Sequence, residues 1–157
     1  DGFAGVDRRF QVSGDISLNG IGLTLVDDYG HHPTEVEAVI QTARRVWPEQ
    51  NLVMVYQPHR YSRTRDLFDD FVRVLSEVDT LILLEVYSAG ETPIPGADSK
   101  ALAHAIRQRG QVSPVYAQDP QEALSLLPSL VKDGEVLLVQ GAGNVNVISN
   151  SLRGDND

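Results

Sequence analysis

An open α/β fold is predicted for this 157-residue chain, with a mostly parallel sheet, helices on both faces and an added N-terminal strand or hairpin. Three observations predict it. Short continuous apolar runs, Leu52 to Tyr56, Thr80 to Val86 and Val136 to Gln140, read as strands buried on both faces. They alternate with segments whose apolar residues recur at helical spacing. Polar, glycine- and proline-rich loops separate the two kinds of segment, as in successive βα units joined by right-handed crossovers.

In chain order, Phe10, Val12 and Ile16 fall at even intervals within Arg8 to Ser17, which predicts a strand with one buried face. A turn follows over Gly14 to Gly22, and then the apolar strand Gly22 to Val26. Val36, Val39, Ile40, Ala43 and Trp47 give a helix from about Pro33 to Trp47, with Thr34 and Glu37 matching a capping box. After the strand Leu52 to Tyr56, a second helix carries the stripe Leu67, Phe68, Phe71, Val74, Leu75 and Val78. Beyond Thr80 to Val86, the loop Tyr87 to Ala97 holds two glycine and two proline turn residues, and Asp98 or Ser99 caps a helix ending at Gly110. Val115 to Ala117, a helix opened by Asp119-Pro120, the strand Val136 to Gln140 and a helix over about Asn144 to Leu152 complete a Rossmann-like pattern.

Hydrophobic residues at 41% and charged residues at 22% describe a chain that builds a core. The formal net charge of -9 repels phosphate backbones and anionic lipid, so neither nucleic acid nor a membrane is an expected partner. Without cysteine there is no disulfide framework, thiolate zinc site or cysteine nucleophile. No apolar run approaches the roughly 18 residues of a membrane span, and no basic-then-apolar leader follows Asp1, so a cytoplasmic location is expected. The chain opens on Asp1 and its one methionine is Met54, which predicts a piece of a longer protein.

In open α/β sheets ligands bind outside the carboxyl ends of the strands. Three of the four histidines and three of the 11 arginines lie in two such loops, Asp27 to His32 and His59 to Arg65. In an acidic chain this local cationic cluster points to an anionic ligand, a phosphate or a carboxylate. Arg65 has a simpler use, pairing with Asp66, Asp69 or Asp70. His31 and His32 with His59 invite a zinc reading, but neighbouring side chains diverge and no supporting carboxylate is evident, so no metal is expected. His104 is read as structural or exposed. Gly141-Ala142-Gly143 begins like a dinucleotide fingerprint, yet Asn146 occupies the third glycine position, and tight strand-to-helix packing explains the glycines as well. No G-x-x-x-x-G-K-[ST] phosphate loop occurs.

Asp27-Asp28-Tyr29-Gly30-His31-His32-Pro33-Thr34-Glu35 and Gln57-Pro58-His59-Arg60-Tyr61-Ser62-Arg63-Thr64-Arg65 resemble the Mur ligases of peptidoglycan synthesis. Glu85 to Glu91, Pro93 to Asp98 and Val139 to Asn144 match the same family. Gly5 to Phe10 resembles its connection out of a central domain, and Val145 to Asn150 departs from its usual Gly-x-Ile. The resemblance implies that residues 1–14 end that connection and residues 15–157 form the C-terminal domain. It implies an ATP-dependent ligase joining L-alanine to UDP-N-acetylmuramate through an acyl phosphate, with ATP and Mg2+ bound mainly by a central domain and no activity in this domain alone. It further implies that Asp28 contacts the ATP ribose and that Tyr29, His31, His59, Arg60 and Arg63 line the alanine site, with Arg60, Arg63 and His31 as catalytic residues. The competing readings are a stand-alone nucleotide- or phosphate-binding α/β module without catalysis, and a phosphotransfer enzyme using His31 or His59 covalently.

Overall fold

The computed structural model describes residues 9–154. The resemblance noted over Gly5 to Arg8 lies outside them. Six strands form one sheet in the order β1-β2-β6-β3-β4-β5, where β1 is Gln11–Leu18, β2 Ile21–Asp28, β3 Leu52–Tyr56, β4 Thr80–Leu84, β5 Val115–Ala117 and β6 Val136–Gln140. β1 pairs antiparallel with β2 and every other pairing is parallel, so the expected open sheet with an N-terminal hairpin is observed.

α1 (Pro33–Val46), α3 (Phe68–Leu75) and α4 (Ser99–Arg109) cover one face of the sheet; α5 (Pro120–Leu130) and α6 (Asn146–Leu152) cover the other. The crossovers β2-α1-β3, β3-α3-β4 and β4-α4-β5 advance across the sheet, and α5 returns on the opposite face to insert β6 between β2 and β3. Right-handed crossovers in both directions require that division of the helices. β3 and β6 are buried at every residue, as their continuous apolar composition predicts.

The hairpin corrects the reading of its sequence. β1 continues to Leu18, and the turn is only Asn19-Gly20, with φ of 52° and 82°. Two positive φ values make the primed turn whose twist suits a hairpin. The register shifts between Val12 and Gly14, a bulge that inserts one residue. A one-residue insertion exchanges the faces of everything beyond it. Phe10 therefore packs with Trp47 on the α1 side and Ile16 on the α5 and α6 side, while Val12 is 48% exposed instead of buried.

Other boundaries differ locally. The helix predicted after the second loop is α3, and most of the loop expected before it is itself helical, α2 (Tyr61–Asp66), separated from α3 at Leu67, whose φ of -117° is non-helical. Asp98 caps α4 by accepting from Ala101 N, and Ser99 is buried and bonds the Leu84 carbonyl. His104 is exposed on α4. No helix among the described residues is long and apolar enough to cross a membrane.

Candidate active site

Register places the site. Asp28 pairs with Gln140 across β2 and β6, and Gln140 with Tyr56 across β6 and β3, so the three strand ends lie in one row. The loops that leave this row carry the polar residues singled out above.

In the first loop, the Asp28 carboxylate accepts from Phe10 N (2.7 Å), Gly30 N (2.7 Å) and the Gln140 amide (3.1 Å). Burial pushes its pKa up, opposed by the Gly30 and Phe10 N–H groups. A Cβ on Gly30 would meet Glu35 Cβ at 2.8 Å, so only glycine lets the loop turn there. The capping box is formed by His32 and Glu35, not by Thr34 and Glu37. His32 Nδ1 accepts from Thr34 N (3.2 Å), and Glu35 Oε1 accepts from His31 N (2.9 Å) and His32 N (3.0 Å). A ring nitrogen and a carboxylate three residues apart satisfy the helix start as Ser and Glu do elsewhere. The capping also separates the two histidines: His32 is spent on the helix, whereas His31 turns toward the second loop. The buried Tyr56 hydroxyl fixes His31 by donating to its carbonyl at 2.9 Å.

The second loop brings His59 to within 5.4 Å of the His31 ring, with Tyr29 edge-on to His31 at 6.0 Å. Arg63 Nη1 lies 3.2 Å from the His59 carbonyl and 3.4 Å from His59 Nδ1. Burial, His31, Arg63 and Arg60 hold the His59 pKa below the ordinary histidine value, against the attraction of Glu91. Arg60 is exposed and has φ 78° and ψ 131°, a conformation rarely adopted outside glycine. Neighbouring loops hold it there. Arg60 N donates to the Tyr87 carbonyl and Tyr87 N to the Pro58 carbonyl, both at 2.8 Å. Glu91 accepts from both the backbone N–H and the hydroxyl of Ser62. Glu85 anchors the adjoining residues, accepting from the Tyr116 hydroxyl (2.9 Å) and the Tyr61 hydroxyl (3.3 Å).

The loop after β6 closes the floor. The Gln57 amide donates to Asn144 Oδ1 at 2.8 Å, and a Cβ on Gly143 would stand 2.5 Å from both Gln57 Oε1 and Tyr87 Cγ. Tight packing accounts for these glycines. The fold thus gathers Tyr29, His31, His59 and Arg63, with Arg60 at the rim. Asp28 faces the α1 side, in a cavity of about 210 Å³ shared with Arg9, Phe10, Gly30 and Glu35. Arg65 pairs with Asp66 at 2.9 Å, as its sequence neighbours predicted. Among the described residues no group of three or more His, Asp or Glu side chains is arranged to hold a metal ion.

Sequence reasoning passed over Gln57, Gln140, Tyr87 and Glu91 as working parts. Gln57 and Gln140 carried a legible signal: each is a polar residue at the end of a wholly apolar run, where burial demands a partner.

An open, mostly parallel sheet whose carboxyl edge gathers two histidines, two arginines and a cavity flanked by a buried acid has the layout of an α/β ligand-binding domain. Residues 8–143 match the family model described as Mur ligase, glutamate ligase domain, and the chain belongs to that family. It is 54% identical over 151 residues to the UDP-N-acetylmuramate–L-alanine ligase of Methylococcus capsulatus, an alignment covering 96% of this chain and 32% of that protein. It shares its fold with the UDP-N-acetylmuramate-alanine ligase of Thermotoga maritima, with a TM-score of 0.72 and 23% identity over 94% of this chain and 29% of that one. A murein peptide ligase from Psychrobacter arcticus has the same fold, with a TM-score of 0.68 and 17% identity over 98% of this chain and 30% of that one. The chain spans about a third of the length of these relatives.

Proposed function

We propose that this chain is the amino-acid-binding, nucleotide-site-closing domain of an ATP-dependent ligase that joins L-alanine to UDP-N-acetylmuramate. Within that reading, residues 1–14 end a connection from a central domain and residues 15–157 form the C-terminal domain, with β1 carrying the connection into the sheet. A ligase of this kind works in the cytoplasm, where ATP is available. The observation that carries the proposal is the convergence of His31, His59 and Arg63 on the ligand edge of an otherwise acidic chain.

The chemistry passes the γ-phosphoryl of ATP to the muramate carboxylate. The amine of alanine attacks the resulting acyl phosphate, and phosphate leaves as the amide forms. This chain contains no phosphate loop and, among the described residues, no acidic or histidine cluster for Mg2+, so no step is assigned to the metal here. Its residues bind and orient. Arg60 and Arg63 pair with the alanine carboxylate, a charge-assisted interaction that fixes the amine relative to the acyl carbon. The same arginines and His31 stabilise charge on the tetrahedral oxygen. Tyr29, His31 and His59 wall the site. Asp28, on the cavity side, keeps one acceptor position on Oδ2 for a ribose hydroxyl beyond its three internal bonds.

The test uses the longer protein that contains this chain. Arg60→Ala and Arg63→Ala should each raise the KM for L-alanine by about ten- to a hundredfold, the loss of one charge-assisted hydrogen bond, with ATP binding little changed. Unchanged alanine kinetics in both variants would remove these arginines from the site. The 157-residue chain alone should release no phosphate from ATP given both co-substrates, and turnover by it would overturn the reading as one domain of a larger ligase.

A further inference from the structure

We infer that Arg63 and Tyr87 are positioning residues that hold His59 as a neutral imidazole with its proton on Nε2, a hydrogen-bond donor to a ligand carboxylate and not a base for the ligand amine. The identity of the carboxylate rests on the ligase reading; the state of the ring does not.

Arg63 decides which nitrogen carries the proton. A guanidinium has donors and no acceptor, so the His59 Nδ1 it approaches at 3.4 Å presents a lone pair. The same Nη1 lies 3.2 Å from the carbonyl of His59, which ties the guanidinium to the residue whose ring it orients. A neutral imidazole has one N–H, and with Nδ1 accepting, that proton is on Nε2.

Tyr87 decides where the ring points. Its ring stacks on His59 at 5.6 Å with an interplanar angle of 9°, and main-chain bonds from Tyr87 N to the Pro58 carbonyl and from Arg60 N to the Tyr87 carbonyl bracket the contact. Gly143 backs the Tyr87 ring so closely that a methyl group there would collide with it. The groups facing His59 are His31 at 5.4 Å, Arg63, Arg60 and Glu91; three of these four oppose a positive ring, as burial does. For His59 to take a proton from an amine, Nδ1 would have to exchange a guanidinium donor for a charge of the same sign beside it. Donation through Nε2 needs no rearrangement.

The experiment is two-bond 1H–15N correlation spectroscopy of the 157-residue chain, which reports the proton position on each histidine without any substrate. The expected result is the Nε2–H form of His59 at neutral pH. Arg63→Met and Tyr87→Ala should each lower that population and Arg63→Met should raise the titration midpoint, whereas Tyr87→Phe, which keeps the stacking face, should preserve both. If Tyr87→Ala fails to fold, Arg63→Met gives the same readout. An Nδ1–H form in the unmodified chain, or no response to either substitution, would overturn the inference. In the longer protein, Tyr87→Ala should raise the KM for L-alanine about tenfold with a smaller change in kcat, and Tyr87→Phe should restore it. A correct tautomer with no alanine-dependent turnover in the longer protein would sink the ligase reading and leave the positioning of His59 intact.

Discussion

Asp28 and Gln140 are register partners on adjacent parallel strands, and the Gln140 amide donates to Asp28 Oδ1 at 3.1 Å. The bond spans 112 positions of sequence and joins the first functional loop to the last. Because Asp28 also accepts from Phe10 N and Gly30 N, one buried carboxylate ties the hairpin entry, the first loop and β6 together.

Gln140→Leu removes one donor from that buried carboxylate and should lower stability by about 1–3 kcal/mol. Gln140→Glu should cost more, since it sets a second carboxylate against Asp28. Urea unfolding midpoints at neutral pH measure both, and wild-type midpoints in the two variants would show that the pair contributes nothing.

Arg60 predicts a trade between stability and function. Its φ of 78° with ψ 131° costs about 1–3 kcal/mol that glycine would not incur. Arg60→Gly should therefore unfold at higher urea than Arg60→Ala while losing the same guanidinium from the ligand edge. Equal midpoints for the two variants would mean that the loop relaxes and no strain is stored.

Glu35 sets a pH dependence on the acid side. Burial would raise its pKa, but the N–H groups of His32 and His31 outweigh burial, and the carboxyl sits below the usual glutamate range. A depressed folded value means that the unfolded chain takes up the proton first. The contribution is complete above the ordinary glutamate value of about 4.3 and fades as pH falls through the lower folded value. Glu35→Ala should cost about 1 kcal/mol at neutral pH, and its stability should fall less steeply than wild type on acidification. Parallel Tm-against-pH curves for the two proteins would refute this.

Gly143→Ala places a methyl group 2.5 Å from Gln57 Oε1 and Tyr87 Cγ. Relief requires movement of the Tyr87 ring, so a stability loss of about 1–3 kcal/mol should accompany a shift of the His59 ring resonances. Loss of stability with unmoved His59 resonances would show that Gln57 alone gives way.

The parallel sheet, the order of its βα units and the loops that bear the chemistry were legible in sequence, because strands buried on both faces must be apolar throughout. The exceptions were local. The capping box lies two residues before the Thr34 and Glu37 pattern, because a histidine ring serving as cap looks like no standard signal; the bonds of His32 and Glu35 reveal it. The bulge beyond Val12 carries no strong mark of its own, and the turn expected over Gly14 to Gly22 contracts to Asn19-Gly20, a pair suited to a two-residue hairpin turn.

The neighbouring acids Asp27 and Asp28 divide what sequence determined from what it left open. Alternation along a strand sends consecutive side chains to opposite faces, so sequence alone required that the two part. Which of them meets the site depended on contacts far apart in the chain. Asp27 is fully buried on the α6 side, 3.5 Å from Arg153, and Asp28 turns toward α1 and the cavity. That choice follows from the side on which α1 crosses and from the register of β2 against β6. Both are fixed by packing the whole sheet, and neither is written in two adjacent aspartates.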